Sequence, residues 1–290
     1  VTGAASAVGF ATSVLLAERG YRVYAGADQA ADLALIDAEA TKRDVRVQTV
    51  PVDLTDPATI EAVVARIEAD NGAVYGLVNC AGQSLGGCLE DLTELEIRQI
   101  FDVNVFGTMA LTQRVLPSMR TARRGRVVTI TSIGGRIGTL GRSADCAAKF
   151  ALEGFAEALS LEIAPFGLRS VIVEPGILPT SDWAANRGTA TSALNPASPY
   201  RNLFEGHQAT ADRQIDRWTI QPIDVAAAVD LGLSAPHPRL RYVVGAAAKR
   251  AVLLRRYLPN RVFEQLYAGF LGSHLPSATR SLSGGGALTP

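Results

Sequence analysis

The strongest constraint on the fold is an alternation. Short apolar runs rich in Val, Ile and Ala, near residues 22–27, 45–52, 74–78, 126–131 and 168–173, are each followed by a polar turn or a stretch with helical spacing of apolar residues. Runs of that length and composition are strands buried on both faces, and helices between them imply parallel crossovers. Such crossovers are right-handed, so the expected fold class is α/β: a three-layer, doubly wound parallel sheet of Rossmann type, forming a single domain over residues 1–290. A last strand is expected at 241–244. Asp56 followed by Pro57 reads as the capped start of a helix over 57–70. A long helical pattern at 92–119 contains Asn104 and Gly107 within an apolar stretch. Both residues cost stability in a helix interior, which predicts a local distortion with a task for Asn104.

The polar residues that break this alternation fall where strands end. The chain opens on Thr2-Gly3-Ala4-Ala5-Ser6-Ala7-Val8-Gly9, a glycine-containing turn entering an amphipathic helix. Such a turn brings backbone N–H groups and a positive helix end to a pyrophosphate, although glycines also mark ordinary turns. Asp28 follows the next strand. An acid there accepts hydrogen bonds from a ribose diol and repels a 2′-phosphate, favouring NAD over NADP; capping of the next helix is an equal alternative. Between residues 127 and 166 an apolar strand delivers Ser132, glycines follow, and a helix from about Ala144 carries Lys149 one turn inside.

Several function classes are excluded by composition. Lys plus Arg and Asp plus Glu both number 28, so no global basic field attracts nucleic acid. No apolar run approaches the ~20 residues that span a bilayer. Cys80, Cys88 and Cys146 are an odd count without metal-like spacing, consistent with free thiols in a reducing, cytoplasmic compartment and with no metal site. Residues 177–222 lose all periodicity and read as a substrate lid, with Trp183, Tyr200, Phe204 and Trp218 either walling an apolar pocket or docking the loop. Residues 246–271 read as a basic amphipathic helix or helix pair, docked by its apolar side in preference to lying on a membrane. The tail from Ser273 reads as loose.

Taken together, these stretches resemble the classical short-chain dehydrogenase/reductase family, from Thr2 to about Gly245. The resemblance implies a first strand largely absent from the sequence, because the chain opens inside the family's T-G-x-x-x-G-x-G turn. That turn matches at Thr2, Gly3 and Gly9, with Ala7 in place of the middle glycine, and implies cofactor contacts at Thr2, Gly3, Ser6, Val8 and Gly9. Asp53 and Leu54 match the pair that contacts the adenine. Asn79, Ala81 and Gly82 belong to the motif bordering the cofactor, and Pro175, Gly176 and Thr180 to the segment beside the nicotinamide. Asn104, Ser132 and Lys149 match three of the family's four catalytic groups, which hold a relay water, bond the reacting oxygen and bind the cofactor ribose. The stretch Lys149–Phe155 looks like the subgroup acting on lipophilic alcohols. A homodimer or homotetramer through the helices carrying Asn104 and Lys149 is implied by resemblance.

The fourth group departs. The family's Tyr stands four residues before the Lys, and here that position is Asp145. A phenol titrates near ~10 and a neighbouring ammonium brings it towards neutrality, whereas a carboxylic acid titrates near ~3.9 and holds no proton for a forming alkoxide. The shorter side chain also needs a bridging water. A plain structural alternative is an i,i+4 pair of Asp145 with Lys149, worth ~0.3–0.5 kcal/mol. Three functional readings follow: an NAD(H)-dependent oxidoreductase, impaired or working through Asp145 and water; a non-redox enzyme with Asp145 as base; and a pseudoenzyme that binds dinucleotide. Tyr200, Tyr242, Tyr257 and Tyr267 lie far downstream, and only Tyr200 falls in the lid.

Overall fold

The computed structural model describes residues 1–178, 187–215 and 220–273. Four parallel strands, β3 (Gly76–Asn79), β5 (Arg126–Ile130), β6 (Arg169–Pro175) and β8 (Arg241–Val244), lie side by side in the order β3-β5-β6-β8. A second parallel pair, β1 (Val23–Ala27) with β2 (Val47–Pro51), continues the layer. Val1 to Ala4 knit the two together. Gly26 N–H donates to Val1 C=O at 2.8 Å, Thr2 N–H to Val78 C=O at 3.0 Å, and Ala4 N–H to Gly26 C=O at 3.0 Å. The strand order reverses at this seam, the place where open α/β sheets bind ligands.

The strands show why their apolar runs are continuous. Leu77 and Val127 pack on one side against α3 (Pro57–Asn71), α5 (Thr108–Thr121) and α6 (Ser143–Ile163), alongside Val64, Leu111 and Leu159. Their neighbours Val78 and Val128 point the other way, towards Leu16 of α1 (Ala7–Glu18) and Val225 and Val229 of α8 (Pro222–Ser234). A period of two with both faces covered makes the centres of these strands apolar on both sides, with polar residues such as Asn79 and Glu174 towards their ends. Asp56 caps α3, its carboxylate accepting from Ala58 N–H at 2.9 Å, with Pro57 in the first turn.

The expected distortion around Asn104 is present. The helical pattern divides into α4 (Glu94–Phe101), a π-helical turn over Asp102–Gly107, and α5. Gly107 lets the chain press against Leu54, where a Cβ would lie 2.6 Å from the Leu54 carbonyl oxygen.

Some expectations are corrected. The stretch at 177–222 is not without structure: it contains β7 (Arg187–Thr189) and α7 (Arg201–Ile215). The strand β7 pairs in parallel with β4 (Ser84–Gly86), a short strand too small to register in periodicity. Phe204 of α7 is buried against Cys88, Ala190 and Ala193, and Tyr200 donates to Glu90 at 2.6 Å, so both aromatics dock this stretch on the body. Thr180, Trp183, Trp218 and the tail from 274 lie outside the described residues. The C-terminal stretch is the expected pair, α9 (Ala246–Tyr257) and α10 (Asn260–Ser273), but most of its apolar side chains are not docked. Between α2 (Ala30–Lys42) and β1, Gln29 and not Asp28 holds the helix N-cap position.

Candidate active site

The turn at the seam is built from its own side chains. Thr2 Oγ1 accepts from the N–H groups of Cys80 at 3.1 Å and Ala81 at 3.0 Å, fastening the turn to the end of β3. Gly3 has a φ of 61°, and a Cβ there would stand 2.6 Å from Ala81 Cα, so only glycine fits. Ser6 caps α1: its Oγ accepts from Gly9 N–H at 3.0 Å and donates to Gly3 C=O at 2.8 Å. Ser6 N–H is taken by Gly3 C=O. Of the four N–H groups that a helix start leaves over, those of Ala7 and Val8 remain, at the positive end of the macrodipole. Two spare donors at a helix N-terminus on a sheet switch point fit a pyrophosphate.

Asp28 sits exposed just past β1 and, among the described residues, bonds the Gln29 side chain, at 3.1 Å, while Gln29 holds the N-cap position. Asp53 is held by Thr55, which donates from N–H at 2.8 Å and from Oγ1 at 2.7 Å, and Leu54 is buried beneath the π-turn. Asn79 is buried and donates to Thr112 Oγ1 at 3.1 Å. Pro175 is buried at the end of β6, and Gly176 N–H donates to Val244 C=O at 3.1 Å.

The reactive groups meet along one short segment, residues 82–84. Asn104 is fully buried and clasps the Gln83 backbone, accepting from its N–H at 2.7 Å and donating to its C=O at 2.8 Å. A Cβ placed on Gly82 would lie 3.2 Å from Asn104 Oδ1 and 3.6 Å from Lys149 Nζ, so both side chains converge there. Ser84 donates to Asp145 Oδ2 at 2.9 Å and accepts from Arg142 at 2.8 Å. The expected i,i+4 ion pair does not form. Lys149 turns to Gly82 while Asp145 turns to Ser84, and Asp145 Oδ1 is buried without a hydrogen-bond partner.

Ser132 stands at the end of β5. Its Oγ accepts from Gly134 N–H at 3.0 Å, which leaves the hydroxyl proton available for donation. Gly134 also borders Cys146 Sγ, 3.7 Å from where its Cβ would be. Burial pushes the Cys80 and Cys146 thiols up, so neither is a thiolate nucleophile at neutral pH. Among the described residues no His, Cys, Asp and Glu group forms a metal site.

Two features escape sequence reasoning. Tyr267 of α10 comes back to the start of α6, close to Thr139 and Cys146; burial raises its phenol and the Thr139 hydroxyl lowers it. No local pattern brings a residue from a C-terminal helix to the start of α6. Behind Ser132 lies an ion network. Thr131 donates to the buried Glu153 at 2.6 Å, and Arg241 reaches Glu153 at 3.1 Å, Glu174 at 3.3 Å and Glu157. Arg136 holds the same Glu174 oxygen at 3.0 Å. Burial, followed by the Glu153 charge, raises the Glu174 carboxyl against the pull of both arginines.

Comparison with known proteins agrees with this fold. A family model described as short chain dehydrogenase matches residues 1–190. The chain belongs to the short-chain dehydrogenase family. It is 36% identical over 176 residues to 3-ketodihydrosphingosine reductase of Bacteroides thetaiotaomicron, an alignment covering 61% of this chain and 62% of that protein, and so under two thirds of its length. It is 32% identical over 283 residues to retinol dehydrogenase 5 of Mus musculus, covering 93% of this chain and 87% of the relative. The crystal structure of an actinorhodin polyketide ketoreductase variant with NADPH superposes with a TM-score of 0.72 at 28% identity, covering 84% of this chain and 94% of that one.

Proposed function

We propose that the chain is an oxidoreductase moving a hydride between a nicotinamide dinucleotide and a lipophilic alcohol or ketone. The observation that carries this is the convergence of Asn104 and Lys149 on Gly82, beside a turn with two spare N–H donors. The nicotinamide, when bound, supplies the hydride acceptor or donor. Thr2, Gly3, Ser6, Val8 and Gly9 would form its pyrophosphate cradle, Asp53 and Leu54 would border the adenine, and Asn79, Ala81, Gly82, Pro175 and Gly176 would line the way to the nicotinamide. Lys149 holds a ribose, and Ser132 donates its proton to the reacting oxygen. Asp28, exposed and free of capping, accepts from the adenosine ribose and favours NAD over NADP.

Asp145 takes the place of the family's phenol. Its carboxylate reaches a reacting oxygen only through water, with Ser84 fixing one of its oxygens. The orientation of Asp145 also favours a second reading. A carboxylate turned from Lys149, with Oδ1 buried and open, is arranged as a base for dehydration, cyclisation or another proton abstraction without redox change. A dinucleotide-binding pseudoenzyme shares the binding half of both. A dimer or tetramer through α5 and α6 is the proposed assembly, in a reducing, cytoplasmic setting. Phe106 on the π-turn, with Met109 and Phe150 on those helices, offers an exposed apolar surface for it.

NADH and NADPH fluorescence titrations, followed by Asp145→Tyr assayed on lipophilic alcohols and ketones, test this reading. Binding of NADH, and a gain of at least tenfold in alcohol oxidation by the variant, are the expected results; tenfold is about 1.4 kcal/mol of transition-state stabilisation. Tighter NADPH binding overturns the role given to Asp28. Absence of nucleotide binding overturns the oxidoreductase. Turnover without NADH consumption that Asp145→Asn abolishes establishes the non-redox reading.

A further inference from the structure

The C-terminal helix pair carries apolar side chains that the described residues leave largely exposed. In α9 only Ala248 is buried, and in the described side chains of α10 only Phe263. Leu253, Leu254 and Tyr257 are 57%, 50% and 70% exposed, and Val262 and Leu266 are 41% and 58% exposed. A contiguous exposed apolar patch marks an interaction site.

The charge around that patch identifies its occupant. Residues 246–273 hold five cations, Lys249, Arg250, Arg255, Arg256 and Arg261, against one carboxylate, Glu264. Arg255 and Arg256 join Arg136 and Arg241 around a recess of about 450 Å³. Arg136 and Arg241 are committed to buried carboxylates. Arg255 and Arg256 make no ion pair among the described residues. Arg255 is oriented by Asn260 at 3.3 Å and by the Phe263 ring at 5.1 Å, and Arg256 lies over the Tyr257 ring. Guanidinium groups without a counter-ion on one side of α9, with exposed leucines round the helix from them, complement a molecule with a phosphate at one end and hydrocarbon at the other. A second copy of the chain fits poorly, because facing two such surfaces sets like charges against each other. No helix among the described residues is long and apolar enough to cross a membrane, so contact is peripheral.

We propose that α9 and α10 form a docking face for an anionic phospholipid surface, with phosphates at the Arg255 and Arg256 recess and Leu253, Leu254 and Tyr257 at the acyl boundary. The test is cosedimentation of the full chain with phosphatidylcholine vesicles, alone or mixed with phosphatidylglycerol, across a salt series. Binding is expected only with phosphatidylglycerol, and it weakens with salt. Arg255→Ala with Arg256→Ala, in a chain whose thermal midpoint is unchanged, weakens it about 30-fold, the equivalent of about 1 kcal/mol per arginine. Leu253→Ser with Leu254→Ser, both solvent-facing, also weakens it. Equal binding to phosphatidylcholine alone, no binding, or indifference to the arginine pair overturns the proposal. So does a dimer, seen by sedimentation velocity, that the leucine pair dissolves while vesicles remain unbound.

Discussion

The two halves of the site are built in opposite ways. On the nucleotide side, the turn closes on itself through Ser6 and is tied through Thr2 to the end of β3, 78 residues on. Ser6 satisfies Gly9 and Gly3, and Thr2 satisfies Cys80 and Ala81. On the reactive side, partners come from far along the chain: Ser84 for Asp145, Gln83 for Asn104 and the C-terminal Tyr267 beside Cys146. In the first half, among the described residues, the turn itself keeps the Ala7 and Val8 donors for a ligand. The second keeps an open, buried carboxylate oxygen on Asp145, an unmet group that costs stability where it stands. Residual polarity of that kind collects where chemistry is done, and closed local bonding where a scaffold is needed.

Breaking the closed half gives the largest effect. A Cβ on Gly9 would lie 2.1 Å from the Gly3 carbonyl oxygen and 2.8 Å from Ala4 Cα, and neither backbone atom can retreat. Gly9→Ala is expected to abolish NADH binding and to lower stability by about 3 kcal/mol, read by fluorescence titration and urea unfolding. The open half is more tolerant. Ser84→Ala removes a hydroxyl from Asp145 and from Arg142, a loss of about 1–2 kcal/mol in urea unfolding, with NADH affinity unchanged. A matching loss of NADH binding would show that the halves are not separate.

The smallest effect lies in the ion network behind Ser132. Folding raises Glu174 above its ordinary value of 4.5, so the folded chain takes up a proton that the unfolded chain releases. That contribution is complete below the unfolded value and is lost as pH rises through the folded one. Urea midpoints should therefore fall more steeply from acid towards neutral pH in the parent than in Glu174→Gln. Equal slopes would place the proton elsewhere in the network.

Local chemistry made much of this legible. The alternation of apolar runs and helical spacing defined the layers, because a strand covered on both faces is mostly apolar on both and a helix cap needs only its own turn. Asp56 with Pro57 marked a helix start, and a Gly and an Asn inside an apolar helix marked the π-turn. The role of Ser6 in the nucleotide turn was equally readable, since its partners Gly3 and Gly9 lie within that motif. The tertiary structure decided the rest. The i,i+4 spacing of Asp145 and Lys149 permits an ion pair, yet each turned to a different residue of the 82–84 segment once that segment was laid along α6. The strand β4 is three residues long and exists through its pairing with β7. The C-terminal helices have the pattern of a docked pair, but Leu253, Leu254 and Leu266 stay exposed. Periodicity reports which side chains share a face. What that face meets is settled only when distant stretches of the chain return to one place.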